Sequence, residues 1–247
     1  MKISIITATF NSAKTIKDTL ESVRAQQYSQ VEHIIIDGLS SDDTLPIIHN
    51  YSNIAVVISE KDSGIYDAMN KGIRLASGDV IGILNSDDMY ADKDVLDEVA
   101  EIFLDDHVDA CYADLQYVDE KDTSKLVRHW KSGSFSKNSF LYGWMPPHPT
   151  LFLRRRVYEK VGLFNLSLKT AADYELMLRI FVRHDFNIRY LPRVIVKMRS
   201  GGASNASLKR RIDANKEDRL AWKINNLKPY FFTLYLKPIR KIFQFIN

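Results

Sequence analysis

The chain has 247 residues, of which 45% are hydrophobic and 26% are charged, a composition that fits one large α/β domain with or without an appendage. The net charge of +3 is unevenly distributed, since residues 208–247 carry ten basic and three acidic side chains, or +7, and the remainder carries −4. The single cysteine, Cys111, excludes an internal disulfide and a thiolate metal site and favours a reducing compartment. No apolar run reaches the about 20 residues of a membrane span, and Met1–Thr7 lacks the pattern of a signal peptide.

Alternating strand and helix patterns fill the first 84 residues, and they predict a parallel sheet with right-handed crossovers. The predicted strands are 3–8, 31–36, 54–58 and 80–84, and the predicted helices are 16–27, a short helix around Pro46, and 65–76. Ligands bind at the carboxyl ends of the strands in such sheets. The polar residues expected at that edge are Thr7, Thr9, Asn11, Asp37, Asp62, Asp87 and Asp88.

The downstream half predicts a less regular set of elements. The prolines on either side of His148 exclude a helix there. The predicted helices are 92–104, a short helix around Val157, 171–183 and 208–226. The predicted strands are 108–118 near a sheet edge, 126–130 paired with it, 150–154, 188–191 and 194–198, followed by a glycine-containing loop at 199–205 that we interpret as a lid.

Two adjacent carboxylates, Asp87 and Asp88, follow a buried strand through the turn Asn85-Ser86. Neighbouring carboxylates repel each other unless a cation lies beside them. Mg²⁺ typically takes one or two carboxylates plus phosphate oxygens, so a cation holding a diphosphate would satisfy both. The alternative is a polar turn in which Asp88 caps the helix that begins near Asp92, and the residues alone leave both interpretations open.

Three common signatures are absent from the sequence. No Gly-x-Gly-x-x-Gly follows the first strand, and no Gly-x-x-x-x-Gly-Lys-Ser/Thr occurs, which argues against a dinucleotide-binding dehydrogenase and a P-loop protein. No Gly-x-Ser-x-Gly elbow of a serine hydrolase is found either. These absences favour a phosphate-bearing ligand that is held through a metal at the Asp pair.

Several ordered motifs resemble those of family 2 glycosyltransferases, which have the GT-A fold and are common in bacterial O-antigen, capsule and exopolysaccharide pathways. The first half carries Ile-Ile-Thr-Ala-Thr-Phe-Asn at 5–11, Ile-Asp-Gly-Leu-Ser-Ser-Asp-Asp-Thr at 36–44, Asp-Ser-Gly-Ile-Tyr-Asp-Ala-Met-Asn-Lys-Gly-Ile at 62–73, Ala-Ser-Gly-Asp at 76–79 and Leu-Asn-Ser-Asp-Asp at 84–88. The second half carries Pro-His-Pro-Thr-Leu-Phe at 147–152, Val-Gly-Leu-Phe-Asn at 161–165 and Ala-Asp-Tyr-Glu-Leu-Met-Leu-Arg at 172–179.

The resemblance implies an α/β fold, with a Rossmann-like, mostly parallel sheet flanked by helices and a C-terminal helical extension. It implies a GT-A domain at 1–205, with a nucleotide-sugar half at about 1–105 and an acceptor half at about 106–205. Residues 206–247 would then form a basic amphipathic helical tail.

The resemblance also assigns roles to individual residues. Mn²⁺ or Mg²⁺ would bind Asp87 or Asp88, and Asp173 would be the general base. The donor-binding residues would be Ala8, Thr9, Asn11, Asp37, Asp67, Lys71 and Asn85. His148 would bind the acceptor or the leaving diphosphate.

Several of these assignments have a structural alternative. Asp37 also suits a turn, and Asp67 with Lys71 also suits a solvated helix face. Asp173 also suits a helix N-terminal position, and His148 also suits a loop without function. Two positions depart from the family pattern: Asn85 stands at the first position of Asp-x-Asp, and Ala172 replaces the Glu of a Glu-Asp pair.

The implied function is an inverting transfer of a sugar from a nucleotide donor, in our interpretation a UDP-sugar, to a polyprenyl-linked saccharide in surface polysaccharide biosynthesis. The tail predicts peripheral binding to an anionic membrane on its cytoplasmic face, and packing on the domain or a dimer contact is the alternative. Nucleic acid is not expected as a partner, and an oligomer is compatible with the sequence. The rival functions are a sugar nucleotidyltransferase and a degenerate nucleotide-sugar-binding protein.

Overall fold

Nine strands form one sheet in the computed structural model, which describes residues 1–201 and 208–242. The strands are β1 Ile3–Thr9, β2 Val31–Asp37, β3 Ile54–Ser59, β4 Val80–Ile83, β5 Asp88–Tyr90, β6 Ala110–Val118, β7 Leu126–Trp130, β8 Phe152–Arg154 and β9 Ile188–Arg199. The α-helices are α1 Ile16–Arg24, α2 Thr44–Ile48, α3 Ile65–Leu75, α4 Val95–Ile102, α5 Arg155–Val161, α6 Ala172–Leu178, α7 Leu208–Ile224 and α8 Thr233–Ile242.

The first four predicted strands pair in parallel in the order β3-β2-β1-β4. Every residue of β1 is buried, because the helices that connect parallel strands cover both faces of the sheet. Ile6 at the centre lies opposite Ile34 of β2 and Ile83 of β4. The predicted α/β sheet with parallel strands is therefore confirmed.

Beyond β4 the sheet becomes mixed. β8 lies antiparallel between β4 and β6, β9 runs parallel to β6, and β5 pairs antiparallel with β9. β7 pairs with β6 as predicted. The prediction that 108–118 lies near an edge is wrong, because β8 and β9, which come later in the chain, pair with β6 as well.

Four local predictions also need correction. Asp88 lies in β5, so it does not cap a helix near Asp92. Residues 188–199 form one strand rather than two, and its pairing with β6 shifts register around Asp114. A 3-10 turn occupies His148–Thr150 despite the prolines, and the predicted helix 171–183 ends its α-helical part at Leu178 and continues as a π-helical segment, Arg179–Arg183.

Of three apolar clusters, the two largest lie on opposite faces of the sheet. One joins Ile6 to Met69 of α3 and Met177 of α6, and the other joins Ile5 to Val99 of α4. At the seam between the parallel and antiparallel halves, Gly82 of β4 faces the ring of Phe152 in β8 so closely that a Cβ there would lie 2.5 Å from a ring carbon.

The C-terminal helices pack on the domain. Trp222 of α7 and Leu234 of α8 are buried, which agrees with the packing alternative for this part of the tail. The predicted lid lies only partly within the described residues, and residues 243–247 lie outside them. Over the described parts of the chain, no helix is long and apolar enough to span a membrane.

Candidate active site

The register of the parallel strands places three polar residues next to one another at the carboxyl edge of the sheet. Thr9 of β1 lies opposite Asp37 of β2, which lies opposite Ser59 of β3. The hydroxyl of Ser12, in the loop after β1, lies 2.9 Å from the hydroxyl of Ser86, in the turn after β4. The predicted residues at the ends of β1, β2 and β4 therefore lie at one edge.

Ala8 and Thr9 end β1 and are each only 4% exposed. The Thr9 hydroxyl is buried and has no hydrogen-bond partner among the described residues. Because buried polar groups in proteins are nearly always hydrogen-bonded, this hydroxyl is suited to a polar atom of a ligand.

Asn11 connects the loops that follow β1 and β2. Its φ of 50° lies in the left-handed region, which Asn tolerates better than most residues. Its backbone N–H donates to the hydroxyl of Ser40 at 2.8 Å, and its Oδ1 accepts from the N–H of Ser41 at 2.8 Å. Asn11 thus links the loops that follow β1 and β2 at the carboxyl edge of the sheet.

Asp37 is fully buried, and both of its carboxylate oxygens accept hydrogen bonds. Ser40 donates through its hydroxyl and, at 3.0 Å, its N–H, and the hydroxyl of Ser59 donates at 2.6 Å. The turn-forming alternative therefore describes this conformation, and contact with the donor stays a prediction.

The polar atoms of the Asn85–Asp88 turn differ in burial and in hydrogen bonding. Asn85 Nδ2 donates to Asp88 Oδ2 at 2.9 Å, whereas Asn85 Oδ1 and Asp88 Oδ1 are buried and have no hydrogen-bond partner within residues 1–201 and 208–242. Asp88 is 0% exposed, and Asp87 is only partly buried. The Thr19 hydroxyl donates to the Asp88 carbonyl at 2.7 Å and fixes the turn.

Burial raises the pKa of the Asp87 carboxyl. Burial, reinforced by the negative charge of Asp87, raises the pKa of Asp88 well above its usual value. The positive charge of Arg199 opposes both shifts but does not cancel them. Arg199 donates to the Asp87 carbonyl at 2.8 Å and forms an ion pair with Asp18, so it is not placed as the counterion of either carboxylate.

The oxygen atoms of this turn fit a hard divalent cation. Asn85 Oδ1 and Asp88 Oδ1 have no hydrogen-bond partner in the described parts of the chain, and Asp87 adds a second carboxylate. The described residues contain no cluster of three or more His, Cys, Asp and Glu side chains suited to a metal. Such a small number of protein ligands is typical of Mg²⁺-like ions, whose remaining ligands come from substrate phosphates and water.

Asp67 and Lys71 lie one turn apart on α3. Asp67 Oδ2 accepts from the N–H of Ser63 at 3.0 Å and lies 3.6 Å from Lys71 Nζ. Lys71 also pairs with Glu60 at 2.8 Å and donates to the carbonyl of Lys61 at 2.9 Å. Both side chains therefore stabilise the loop before α3. Contact of either one with the nucleotide-sugar donor stays a prediction.

Asp173 is the second residue of α6 and contacts a tyrosine from the other half of the chain. Tyr66 of α3 donates its hydroxyl to Asp173 Oδ1 at 3.1 Å, and the N–H of Tyr174 donates to the same oxygen at 2.8 Å. No hydrogen bond to Oδ2 is found in the part of the chain that the structure describes. One carboxylate oxygen of Asp173 is therefore held by two hydrogen bonds, and a role of this residue as the general base stays a prediction.

Phe164 lies between Tyr66 and His148. The Tyr66 ring stacks on it with centroids 5.5 Å apart, and the His148 ring meets its edge at 5.6 Å. Burial lowers the pKa of His148, and the charge of Asp173 opposes this shift, so the two groups are close enough to interact. The structure thus brings His148 and Asp173 into one area.

Sequence reasoning assigned no role to Tyr66 or Arg199. Tyr66 stands inside the motif at 62–73, but only its helix neighbours Asp67 and Lys71 were considered. Arg199 falls in the predicted loop at 199–205, whereas in the structure it ends β9. A basic residue at the end of a strand that faces an acidic turn is the signal that identifies it.

Comparison with known proteins identifies the family. The model described as Glycosyl transferase family 2 matches residues 4–162. A PGL/p-HBAD biosynthesis glycosyltransferase of Mycobacterium tuberculosis is 32% identical over 207 residues, which cover 82% of this chain and 78% of the relative. An uncharacterized glycosyltransferase of the same species is 35% identical over 180 residues, which cover 72% of this chain and 68% of the relative.

Solved structures share the fold. Staphylococcus aureus TarS superposes with a TM-score of 0.70 at 20% identity over 93% of this chain, which spans 41% of the TarS chain. The mannosyltransferase PcManGT from Pyrobaculum calidifontis, in complex with GDP-Man and Mn²⁺, gives a TM-score of 0.66 at 18% identity over 96% of this chain and 68% of its own. With the matched profile and the relatives above 30% identity, these likenesses lead to one conclusion: the chain belongs to glycosyl transferase family 2, with the GT-A fold.

Proposed function

We propose that this chain is a metal-dependent, inverting glycosyltransferase that moves a sugar from a nucleoside-diphosphate donor, in our proposal a UDP-sugar, to a hydroxyl of a lipid-linked saccharide in surface-polysaccharide assembly. The observation that carries the proposal is the Asn85–Asp88 turn at the carboxyl edge of the parallel strands, where two buried oxygens find no hydrogen-bond partner among the residues that the structure describes. TarS 1–349 has been solved with UDP-GlcNAc, and PcManGT with GDP-Man and Mn²⁺, which supports a donor of this class.

In this proposal Asp87 and Asp88 would hold Mn²⁺ or Mg²⁺ together with the donor diphosphate. Asp87 is the more accessible of the two and would be the principal direct ligand, whereas Asp88 would offer only its Oδ1, because its Oδ2 accepts from Asn85. A bound divalent cation would stabilise the negative charge that develops on the leaving diphosphate. The Thr9 hydroxyl and the Asn11 loop border the same edge and bind the nucleotide.

Asp173 acts as the general base on the acceptor. Its Oδ2 takes the proton of the attacking hydroxyl, while the Tyr66 hydroxyl and the Tyr174 N–H hold Oδ1. The acceptor oxygen attacks the anomeric carbon on the face opposite the diphosphate, and one such displacement inverts that carbon. His148 lies beside this base across Phe164, where it would contact the acceptor. Residues 1–105 thus bind the donor, and 106–205 bind the acceptor.

A thermal-shift panel tests the proposal. Mn²⁺ together with UDP-GlcNAc, UDP-glucose or GDP-mannose should raise the melting temperature, because a donor at 100 times its Kd adds about 2.7 kcal/mol to the free energy of unfolding. Without Mn²⁺ the shift should largely vanish. A panel without any Mn²⁺-dependent shift would contradict the proposal, and release of pyrophosphate instead of a nucleoside diphosphate would favour a nucleotidyltransferase.

We also propose that the C-terminal helices bring the enzyme to an anionic membrane, on whose cytoplasmic face a polyprenyl-linked acceptor would lie. The apolar surface of this region includes Phe231, which is 89% exposed, with Tyr230, Tyr235 and Ile239 also exposed. Amphipathic segments with aromatic and basic residues bind the headgroup region of such membranes. The +7 charge of residues 208–247 supports this choice.

Replacing Phe231 and Tyr235 with Ser should release the protein from vesicles of 30% phosphatidylserine at low salt, as measured by sedimentation. The wild-type chain should bind and should lose binding as salt rises, because the attraction between charges is screened. Leu104→Ser is the matched control, since Leu104 is 77% exposed but lies after α4 rather than in the tail. A wild-type chain that ignores these vesicles at low salt would refute membrane binding.

A further inference from the structure

Glu217 of α7 binds the loop that enters α6. Its Oε2 accepts from the N–H of Thr170 at 2.7 Å, the hydroxyl of Thr170 at 2.8 Å and the N–H of Ala171 at 3.1 Å, and its Oε1 accepts from the N–H of Lys169 at 3.1 Å. One carboxylate from the tail thus fixes three consecutive residues, 169–171. Asp173 follows only two residues later.

The loop that leads into α6 is not held by a side chain at the position before the helix. That residue is Ala171, which makes no side-chain cap hydrogen bond, and within the first turn Asp173 Oδ1 accepts from the N–H of Tyr174. Glu217 instead holds residues 169–171, and its negative charge near the helix N-terminus is favourable. Glu217 lies 46 residues from Ala171 in sequence. It therefore fixes the backbone at the point where the chain enters α6.

The same tail also holds the residues that follow Asp173. Trp222 donates its indole N–H to the hydroxyl of Tyr174 at 2.9 Å, and Asn225 Nδ2 donates to Glu175 Oε1 at 2.9 Å, both in buried surroundings. Lys237 of α8 lies 3.7 Å above the Tyr174 ring. Contacts from the tail thus lie immediately before and immediately after Asp173.

We infer that Glu217 is a positioning residue of the transfer reaction, which sets the orientation of Asp173 by fixing residues 169–171 at the start of α6. The inference rests on the proposed role of Asp173 as the base. It gives the tail a part in catalysis that does not depend on a membrane. Glu217 itself makes its described contacts with the loop, so it acts through the α6 backbone rather than on the substrate.

The ionisation of Glu217 suits this role. Burial raises the pKa of its carboxyl, but the hydrogen bonds from residues 169–171 outweigh burial and leave the pKa below its usual value. The carboxylate is therefore charged at neutral pH, and Gln at this position would offer one acceptor oxygen where two now serve.

Glu217→Gln should lower kcat for nucleoside diphosphate release from UDP-GlcNAc with Mn²⁺, or from whichever panel donor shifts the melting temperature most. We expect a fall of about 10- to 100-fold, the scale associated with misplacing a catalytic group by about 1 Å. The donor Kd should be unchanged, because the donor edge lies on other elements. Asp213→Asn, the same change of charge on an exposed residue of α7, should leave kcat and Kd as in the wild type.

The decisive measurement repeats Glu217→Gln in an Asp173→Asn background. A residue that acts through Asp173 has nothing left to position there, so the residual rate should not fall further. A loss of similar size in both backgrounds would indicate general damage to the fold and overturn the inference, as would a wild-type kcat in the single variant. If Glu217→Gln does not fold, Thr170→Val removes one of the four hydrogen bonds and gives the same test at smaller amplitude.

The two proposals fail separately. If Asp173→Asn alone leaves transfer unchanged, the base is misassigned, and the inference about Glu217 falls with it. If Asp173→Asn slows transfer and Glu217→Gln does not, the proposed function stands and only the positioning role of Glu217 is refuted.

Discussion

Asp173→Asn should bind Mn²⁺ and donor with near wild-type affinity but transfer sugar about 10²-fold more slowly or worse. The acceptor hydroxyl loses its proton as the new bond forms, and general-base assistance is typically worth about 10²–10⁴ in rate. The amide keeps the size of the carboxylate, and its Oδ1 can still accept from the Tyr66 hydroxyl and the Tyr174 N–H. The amide nitrogen that replaces Oδ2, however, cannot accept a proton from the acceptor hydroxyl.

Donor titration and single-turnover transfer on the same preparation separate the base from a structural residue. A residue that only stabilises α6 would leave the Asn variant close to the wild type in both measurements. Asp185→Asn is the control, since Asp185 lies just after the π-helical segment that continues α6 and is highly exposed. Transfer by Asp173→Asn within a few-fold of the wild type would mean that the base lies elsewhere.

Asp87→Asn should abolish the Mn²⁺-dependent part of nucleotide binding. Removing this carboxylate takes away the more accessible charged group that the turn offers to a cation. Calorimetric titration of UDP, with and without Mn²⁺, measures the effect directly. Asp79→Asn provides the matched control, because Asp79 lies at the opposite, amino end of β4, where its carboxylate accepts from the N–H of Lys2.

Asp88→Asn separates the two neighbouring carboxylates. Asp88 is fully buried and bonded to Asn85, so its loss should weaken Mn²⁺-dependent binding less than the loss of Asp87. Equal, undiminished binding of UDP with Mn²⁺ in both variants would refute a metal site at this turn. A stronger loss in Asp88→Asn than in Asp87→Asn would reverse the assignment of the direct ligand.

The parallel half of the fold could be predicted because its signals are local. The mostly apolar segments 3–8 and 80–84 favour buried strands, and each ends in a polar turn, so the alternation of strands and helices predicts that Thr9, Asp37 and Asp87 lie at one edge of the sheet. The motifs that mark the family lie on these same turns. The position of β6 in the sheet cannot be predicted in this way, because its neighbours β8 and β9 follow it by tens of residues and no local pattern specifies such pairing.

The environment of Asp173 shows the limit of sequence reasoning most clearly. Its position at the start of a helix was expected, but its contacts come from Tyr66, which precedes it by 107 residues. Glu217 reaches the same region from α7, part of a tail for which the sequence predicts membrane binding, with packing on the domain or a dimer contact as the alternative. Long-range hydrogen bonds of this kind depend on how helices pack on the sheet, which the sequence does not state.

The seam between β4 and β8 bears on how this enzyme family can change its substrates. β8, from the second half of the chain, enters the sheet directly beside β4, where Gly82 faces the Phe152 ring, and β5, from the first half, pairs with β9. The two halves are interleaved, so recombination near residue 105 would join strands whose partners had evolved in another protein. We therefore expect chimeras that exchange whole halves to fold poorly, and new specificities to arise through substitutions in the loops at the sheet's edge.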